Sequence, residues 1–235
     1  MASRLDPLTL QNFLVVMPAF NEARFVGPVV KGIKSLGLDV LVVDDGSTDG
    51  TGEAAAGEGA RVLRLEANRG KGAALHAGFR HALADGYDAV ITMDADGQHD
   101  PNEALDFCDI YNRTGIPVLI GNRMAERRRM PMIRRWTNQI MSRILNRHMS
   151  QYIPDTQNGF RLYQTDVISM VSTDSPGFAA ESEILLKLDG IRIRMGSVPV
   201  AARYGKENSS IRPVRDTLRF VRMMRHHLGL RKEHA

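Results

Sequence analysis

The chain has 235 residues, 43% hydrophobic and 25% charged, which is an ordinary balance for a globular protein with one large α/β domain. No stretch approaches the roughly 20 apolar residues that span a bilayer. Met1–Leu10 lacks the basic start and apolar run of a secretory signal, and the single cysteine, Cys108, excludes an internal disulfide and a multi-cysteine zinc site. These absences point to a cytoplasmic protein. The net charge of +4 is uneven: residues 123–147 hold eight arginines and one glutamate, residues 212–235 carry +5, and the remainder is −8. Basic segments of this kind suit polyanions such as nucleic acid, an anionic membrane face or a phosphorylated substrate, or they are solvated helix faces.

Asn12–Met17 reads as a buried strand, ended by Pro18-Ala19-Phe20-Asn21-Glu22, with Asn21 placed to cap a helix to about Ser35. Leu38–Val43 is the next strand. It runs into Asp44-Asp45-Gly46-Ser47-Thr48-Asp49-Gly50-Thr51, where Ser47 or Thr48 can cap a helix through Ala56. Arg61–Leu65 is a third strand, and Asn68-Arg69-Gly70-Lys71-Gly72 leads into a helix to about Ala84. Ala89–Met93 is a fourth, Pro101 starts a helix to about Asn112, and Val118–Ile120 is a fifth strand ending at Gly121-Asn122-Arg123. Strands alternating with helices of about 10–15 residues predict a doubly wound, mostly parallel sheet.

The second half changes character. Pro131–Met149 carries Ile133, Trp136, Ile140 and Ile144 at helical spacing with arginines between them, a basic amphipathic helix whose stripe suits a core. Pro154–Phe160 is a polar loop before a strand, and Glu181-Ser182-Glu183 opens a helix to about Leu188. Ile191–Val200 reads as a strand, at an edge because of Pro199. Tyr204–Ser210 is expected to be a mobile loop. Pro213 starts a last helix with Val214, Leu218, Val221 and Met224 on one stripe. The expected division is a domain over residues 12–211 and a basic helix and tail over 212–235.

The richest stretch is Val90-Ile91-Thr92-Met93-Asp94-Ala95-Asp96-Gly97-Gln98-His99. If the strand persists, Asp94 and Asp96 point to one side at its carboxyl end, where open α/β sheets bind ligands. Two carboxylates together call for a cation, and oxygen ligands suit Mg²⁺ or Mn²⁺. A solvated Asp/Gly turn is the plain alternative.

Six motifs then stand in order: Pro18–Glu22, Val42–Thr51, Asn68–Gly72, Asp94–His99, Gly121–Arg123 and Asp155–Arg161. Over roughly residues 12–212 the chain resembles family-2 inverting glycosyltransferases of GT-A fold, and within them the dolichyl- or polyprenyl-phosphate mannose and glucose synthases. The resemblance implies a single GT-A domain with helices on both faces of its sheet. It implies transfer of a hexose from a GDP- or UDP-sugar to a lipid-phosphate acceptor at the cytoplasmic membrane face. Asp94, Asp96 and Gln98 then match the metal side. Pro18, Ala19, Glu22, Asp44, Asp45, Arg69, Lys71, Asp94, Ala95 and Asp96 match the nucleotide-sugar side, with Arg203 and Lys206 on a closing loop. Arg123 matches an arginine that holds the acceptor phosphate. Glu181 and Glu183 match a segment where a base is often found, and Glu183 is the stronger candidate; Asp155 is a further site-facing one.

Members of that branch often continue into transmembrane helices. This chain shows none, so Pro131–Met149 and Pro213–Leu230 are expected to meet an anionic membrane surface peripherally. The same donor chemistry on another lipid headgroup or a soluble glycan is the alternative. A nucleic-acid-binding module leaves the acidic strand-end motifs unexplained, so no nucleic acid is expected. A sugar-nucleotide-forming nucleotidyltransferase wants a Gly-rich basic loop where Pro18–Glu22 stands, and Gly70-Lys71-Gly72 lacks P-loop spacing.

Overall fold

A computed structural model describes residues 12–124, 132–171, 179–201 and 213–233 of the chain. Seven strands form one sheet: β1 (Phe13–Ala19), β2 (Asp39–Asp44), β3 (Arg61–Arg64), β4 (Ala89–Thr92), β5 (Val118–Asn122), β6 (Arg161–Gln164) and β7 (Met195–Pro199). Their order is β3-β2-β1-β4-β6-β5-β7. Only β6 is antiparallel, and it separates β4 from β5. β1 lies centrally between β2 and β4, and every one of its residues is buried. That burial on both faces is why the stretch is apolar without alternation.

Alternation decides which layer each strand residue enters. Phe13, Val15 and Met17 join one core, against Val26, Val30 and Ile33 of α1 (Ala23–Ser35) and Phe107 of α4 (Ala104–Thr114). Leu14 and Val16 join the other, with Leu75 of α3 (Lys71–Ala84), Leu145 of α5 (Met132–Asn146) and Leu185 of α7 (Ala179–Gly190). The short helices α2 (Thr51–Gly57) and α6 (Thr165–Ser169) complete the two layers, and α8 (Pro213–Glu233) packs on α7.

Several local expectations are corrected. β4 ends at Thr92, so Asp94 and Asp96 occupy the following turn and strand alternation does not orient them. Asn21 does not cap α1: its φ is 56°, and its Oδ1 accepts from Thr48 N at 3.0 Å. α2 starts at Thr51 behind Gly50, whose φ of 87° glycine tolerates, rather than at Ser47 or Thr48. On α5, Trp136 and Ile140 face solvent while Met141 and Leu145 are buried. On α8, Phe220, Met223 and Met224 are buried, whereas Leu218 and Val221 are exposed. Pro199 does lie on an edge strand, where its missing N–H costs no ladder bond.

Candidate functional site

The parallel strands end together on one side of the sheet, and the motifs gather there. Two loops are laced first. The N–H of Asn21 donates to Ser47 Oγ at 3.0 Å, that of Glu22 to Thr51 Oγ1 at 2.8 Å, and that of Ala23 to Asp49 Oδ2 at 3.1 Å. The first donors of α1 are thus satisfied by side chains of the neighbouring loop rather than by a local cap. Pro18 and Ala19 are buried inside β1, and Glu22 is half-buried at its rim.

Asp44 and Asp45 are buried at the end of β2. Asp45 accepts from Arg69 N at 2.8 Å and Gly70 N at 2.7 Å, which fixes the start of α3 with a charge the helix dipole favours. Asp44 Oδ1 accepts from Ser47 N at 2.8 Å, and its Oδ2 lies 3.7 Å from Arg64 Nε. Both aspartates hold loops at the strand ends through backbone donors. Arg69 is exposed at the rim.

α3 then delivers Lys71 into the centre. Its Nζ lies 2.6 Å from Asp94 Oδ1 and 3.0 Å from Glu181 Oε2, with the lysine side chain 13% and the glutamate side chain 6% exposed. Burial works against the Lys71 charge, yet Asp94 and Glu181 hold its pKa above the ordinary value. Burial likewise opposes the Asp94 carboxylate, and Lys71, His99 and Arg123 outweigh it, so its pKa is lowered. Gly159 closes the cluster from the other side. A Cβ there would stand 2.8 Å from Lys71 Nζ, 3.0 Å from Asp94 Oδ2 and 3.2 Å from Glu181 Oε1. A side chain there would push the Lys71 ammonium out of place, and Thr92 Oγ1 secures the turn by donating to Gly159 O at 2.8 Å.

Arg123, just past β5, makes a two-pronged ion pair with the buried Asp155: Nε to Oδ2 at 2.8 Å and Nη2 to Oδ1 at 3.0 Å. His99 is buried nearby, its ring 5.0 Å from that of Phe160 and tilted 54° to it, with Nδ1 lacking a partner among the described residues. Burial, reinforced by Arg123 and Lys71, depresses its pKa to about 4 against the pull of Asp94, so its ring is neutral at pH 7.

Asp96 and Gln98 form a half-buried turn in which Gln98 N donates to Asp96 Oδ1 at 3.0 Å, and Ala95 is buried beneath it. Among the described residues, no three His, Cys, Asp or Glu side chains converge on a common ion position. Glu183 turns away. It lies about 200° around α7 from Glu181 and pairs with Lys187 at 2.6 Å. Glu181 is therefore the glutamate brought beside Asp94. Arg203 and Lys206 lie outside the described residues.

Arg161 was not singled out from sequence. It is 1% exposed, and its guanidinium donates to Asn158 O, Thr156 O, Glu181 O and Tyr163 Oη at 2.6–3.0 Å. This knots the Asp155–Phe160 loop to the first turn of α7 and so places both Gly159 and Glu181. His99 and Gly159 stood within quoted motifs, but neither a buried neutral ring nor a glycine facing three charges has a local sequence signal.

Residues 14–171 match the family described as "Glycosyl transferase family 2". The chain is 30% identical to the polyprenol monophosphomannose synthase of Mycolicibacterium smegmatis, over 83% of this chain and 80% of that protein. It is 30% identical to the dolichyl-phosphate hexose transferase of Haloferax volcanii, over 84% and 86%. Its structure superposes on the glucosyl-3-phosphoglycerate synthase of M. tuberculosis with a TM-score of 0.76 at 20% identity, over 95% of this chain and 82% of that one, which establishes the shared GT-A-type fold. One structure of that synthase holds Mn²⁺, uridine diphosphate and phosphoglyceric acid.

Proposed function

Because the chain belongs to glycosyl transferase family 2, we propose that it moves a hexose, with inversion, from a GDP- or UDP-sugar to a polyprenyl phosphate, aided by a divalent cation. The relatives named for polyprenol- and dolichyl-phosphate sugar transfer support the acceptor class. The neighbour holding uridine diphosphate and Mn²⁺ supports a cation at the donor.

The observation that carries the reading is the ion pair at 3.0 Å between Glu181 and Lys71. A hydroxyl acceptor needs a carboxylate able to take its proton. Here Glu181, the glutamate beside Asp94, is committed to an ammonium. A phosphate acceptor is already anionic near pH 7 and needs no such base. Lys71 and Arg123 are the cations at that centre, and an arriving phosphate would compete there with Asp94, Glu181 and Asp155 for their N–H donors.

The donor side fits a hard cation in its chemistry. Asp96 offers a half-exposed carboxylate and Gln98 a neighbouring amide oxygen, while Asp94 Oδ1 is taken by Lys71. One or two carboxylates, completed by diphosphate oxygens and water, is the way Mg²⁺ is commonly held. Asp96 and Gln98 would hold it, and bound there it would offset charge on the departing diphosphate.

The test compares polyprenyl phosphate with the corresponding polyprenol as acceptor, using GDP-mannose, UDP-glucose and UDP-GlcNAc as donors. Transfer to the phosphate alone is expected. Asp96→Ala should abolish the Mn²⁺-dependent thermal shift with the nucleotide. A general base contributes about 10²–10⁴-fold, so Glu181→Gln should cost much less than that. Transfer to an alcohol or soluble glycan that Glu181→Gln destroys would overturn the phosphate-acceptor reading.

A further inference from the structure

Away from the catalytic centre, the ends of α5 and α7 enclose an open cleft of about 380 Å³ whose lining includes Arg147, His148, Ser150, Asp189 and Arg192. It lies past the last turn of α7, whereas Glu181 is in the first turn, about 14 Å back along the helix. None of the chemistry above uses it.

One backbone angle in this cleft departs from the pattern of the rest of the chain. Ile193 N donates to Leu188 O and Arg192 N to Asp189 O, both at 3.0 Å, which closes α7 in a left-handed turn with Arg192 at φ 66°. Glycine is the usual residue at that position, because a Cβ crowds the following carbonyl. The chain follows that rule after α1, α2, α3 and α4, where Gly37, Gly59, Gly86 and Gly115 stand at φ of 85°, 86°, 75° and 59°. After α7 the nearest glycine, Gly190, is still helical, and an arginine takes the strained place. Strain kept at an exposed residue points to a use for its side chain.

The fold does not consume the cations there. The last carbonyls of both helices are met by backbone donors: Arg147 N reaches Arg143 O at 3.2 Å, His148 N reaches Leu145 O at 2.9 Å and Ile191 N reaches Lys187 O at 3.2 Å. Helix ends that would repel an anion are thereby partly quenched. Asp189 is 4% exposed, and its carboxylate accepts from Ser150 N at 2.7 Å and Ser150 Oγ at 2.8 Å. Arg147 and Arg192 are exposed, and among the described residues neither guanidinium has an ion-pair or hydrogen-bond partner. Two free planar forks on a concave surface suit a group with several acceptor oxygens and more than one negative charge. The volume is at the small end of ligand pockets.

We propose that this cleft binds a small, water-soluble phosphorylated ligand through the Arg147 and Arg192 guanidinium groups, at a site separate from the donor and acceptor positions.

The full chain is titrated calorimetrically with pyrophosphate in low salt with EDTA, so that no metal–diphosphate complex forms. One saturable site, weakened by added salt, is expected. Arg192→Gly removes the fork and the strain together. It should weaken binding at least tenfold while holding or raising the melting temperature, a combination that a merely structural arginine would not give. Arg147→Gln, melting as the wild type does, should also weaken binding at least tenfold. Arg194→Gln removes a nearby exposed arginine that donates to Thr114 O instead, and should change binding less than twofold. Asp96→Ala should bind pyrophosphate as the wild type does. The absence of a saturable site, a fall in the melting temperature of Arg192→Gly, or an equal loss in Arg194→Gln overturns the proposal. So does a loss in Asp96→Ala, which would mean that the anion occupies the donor position, or displacement by phosphatidylglycerol vesicles, which would make the ligand a lipid headgroup.

Discussion

Replacing Lys71 with methionine is the most direct probe of the site's electrostatics. The ammonium sits 2.6 Å from Asp94 and 3.0 Å from Glu181, and the Glu181 side chain is only 6% exposed. Methionine fills most of the volume but takes from the glutamate the ammonium it is paired with, leaving the Arg161 guanidinium as the nearby charge. Breaking a buried pair by removing one partner costs about 3–5 kcal/mol, because the remaining charge stays desolvated. Asp94, with 29% of its side chain exposed, reaches water and adds less. For a chain of this length about 3 kcal/mol lowers the melting temperature by roughly 6–12 °C. Adding Glu181→Gln to Lys71→Met removes the remaining charge and should recover a coupling energy of about 1–3 kcal/mol. Urea denaturation followed by circular dichroism, on the wild type, both single variants and the double, measures all four corners of the cycle. A loss below about 1 kcal/mol in Lys71→Met, or a double variant as unstable as the two singles summed, would refute the picture of one ammonium holding two carboxylates.

Gly159→Ala drives a methyl to within 2.8 Å of Lys71 Nζ and 3.0 Å of Asp94 Oδ2, so it should displace the cluster and cut turnover more than tenfold while costing about 1–3 kcal/mol of stability, read by assay and melting in parallel. His99 binds its proton near pH 4 when folded and near 6.5 when unfolded, so the unfolded chain takes up more protons between those values and stability falls as pH drops through that window. The loss attributable to this ring is about 3 kcal/mol, and His99→Gln should flatten the slope of the urea midpoint between pH 6.5 and 4; an unchanged slope refutes the buried neutral ring. Cys108 is fully buried on α4 with its thiol pushed up to about 12, so a thiol reagent should leave the native protein unlabelled and react stoichiometrically in urea.

The amino-acid sequence by itself determined the layered plan. Apolar runs such as Phe13–Met17 and Val40–Val43 have to be strands covered on both faces, and helix-length segments between them force parallel pairing. The motif order located the business end of the sheet, since polar Gly-rich turns after each strand fall at one edge. Tertiary structure decided what each charge does there. Local periodicity specifies which face a residue takes, but not which distant charge it meets. Lys71 opens one helix, Asp94 follows a strand and Glu181 lies in the first turn of another helix, so only the chain trace brings the two carboxylates within 3.0 Å of the ammonium. The same trace chose Glu181 over Glu183, because two residues on a helix face opposite ways, and gave Glu183 to Lys187 instead. It set antiparallel β6 between β4 and β5, which carries Gly159 and Arg161 into the cluster. It also turned Trp136 and Ile140 outward on a helix whose apolar spacing alone suited a core, because Met141 and Leu145 had already filled the space beneath it.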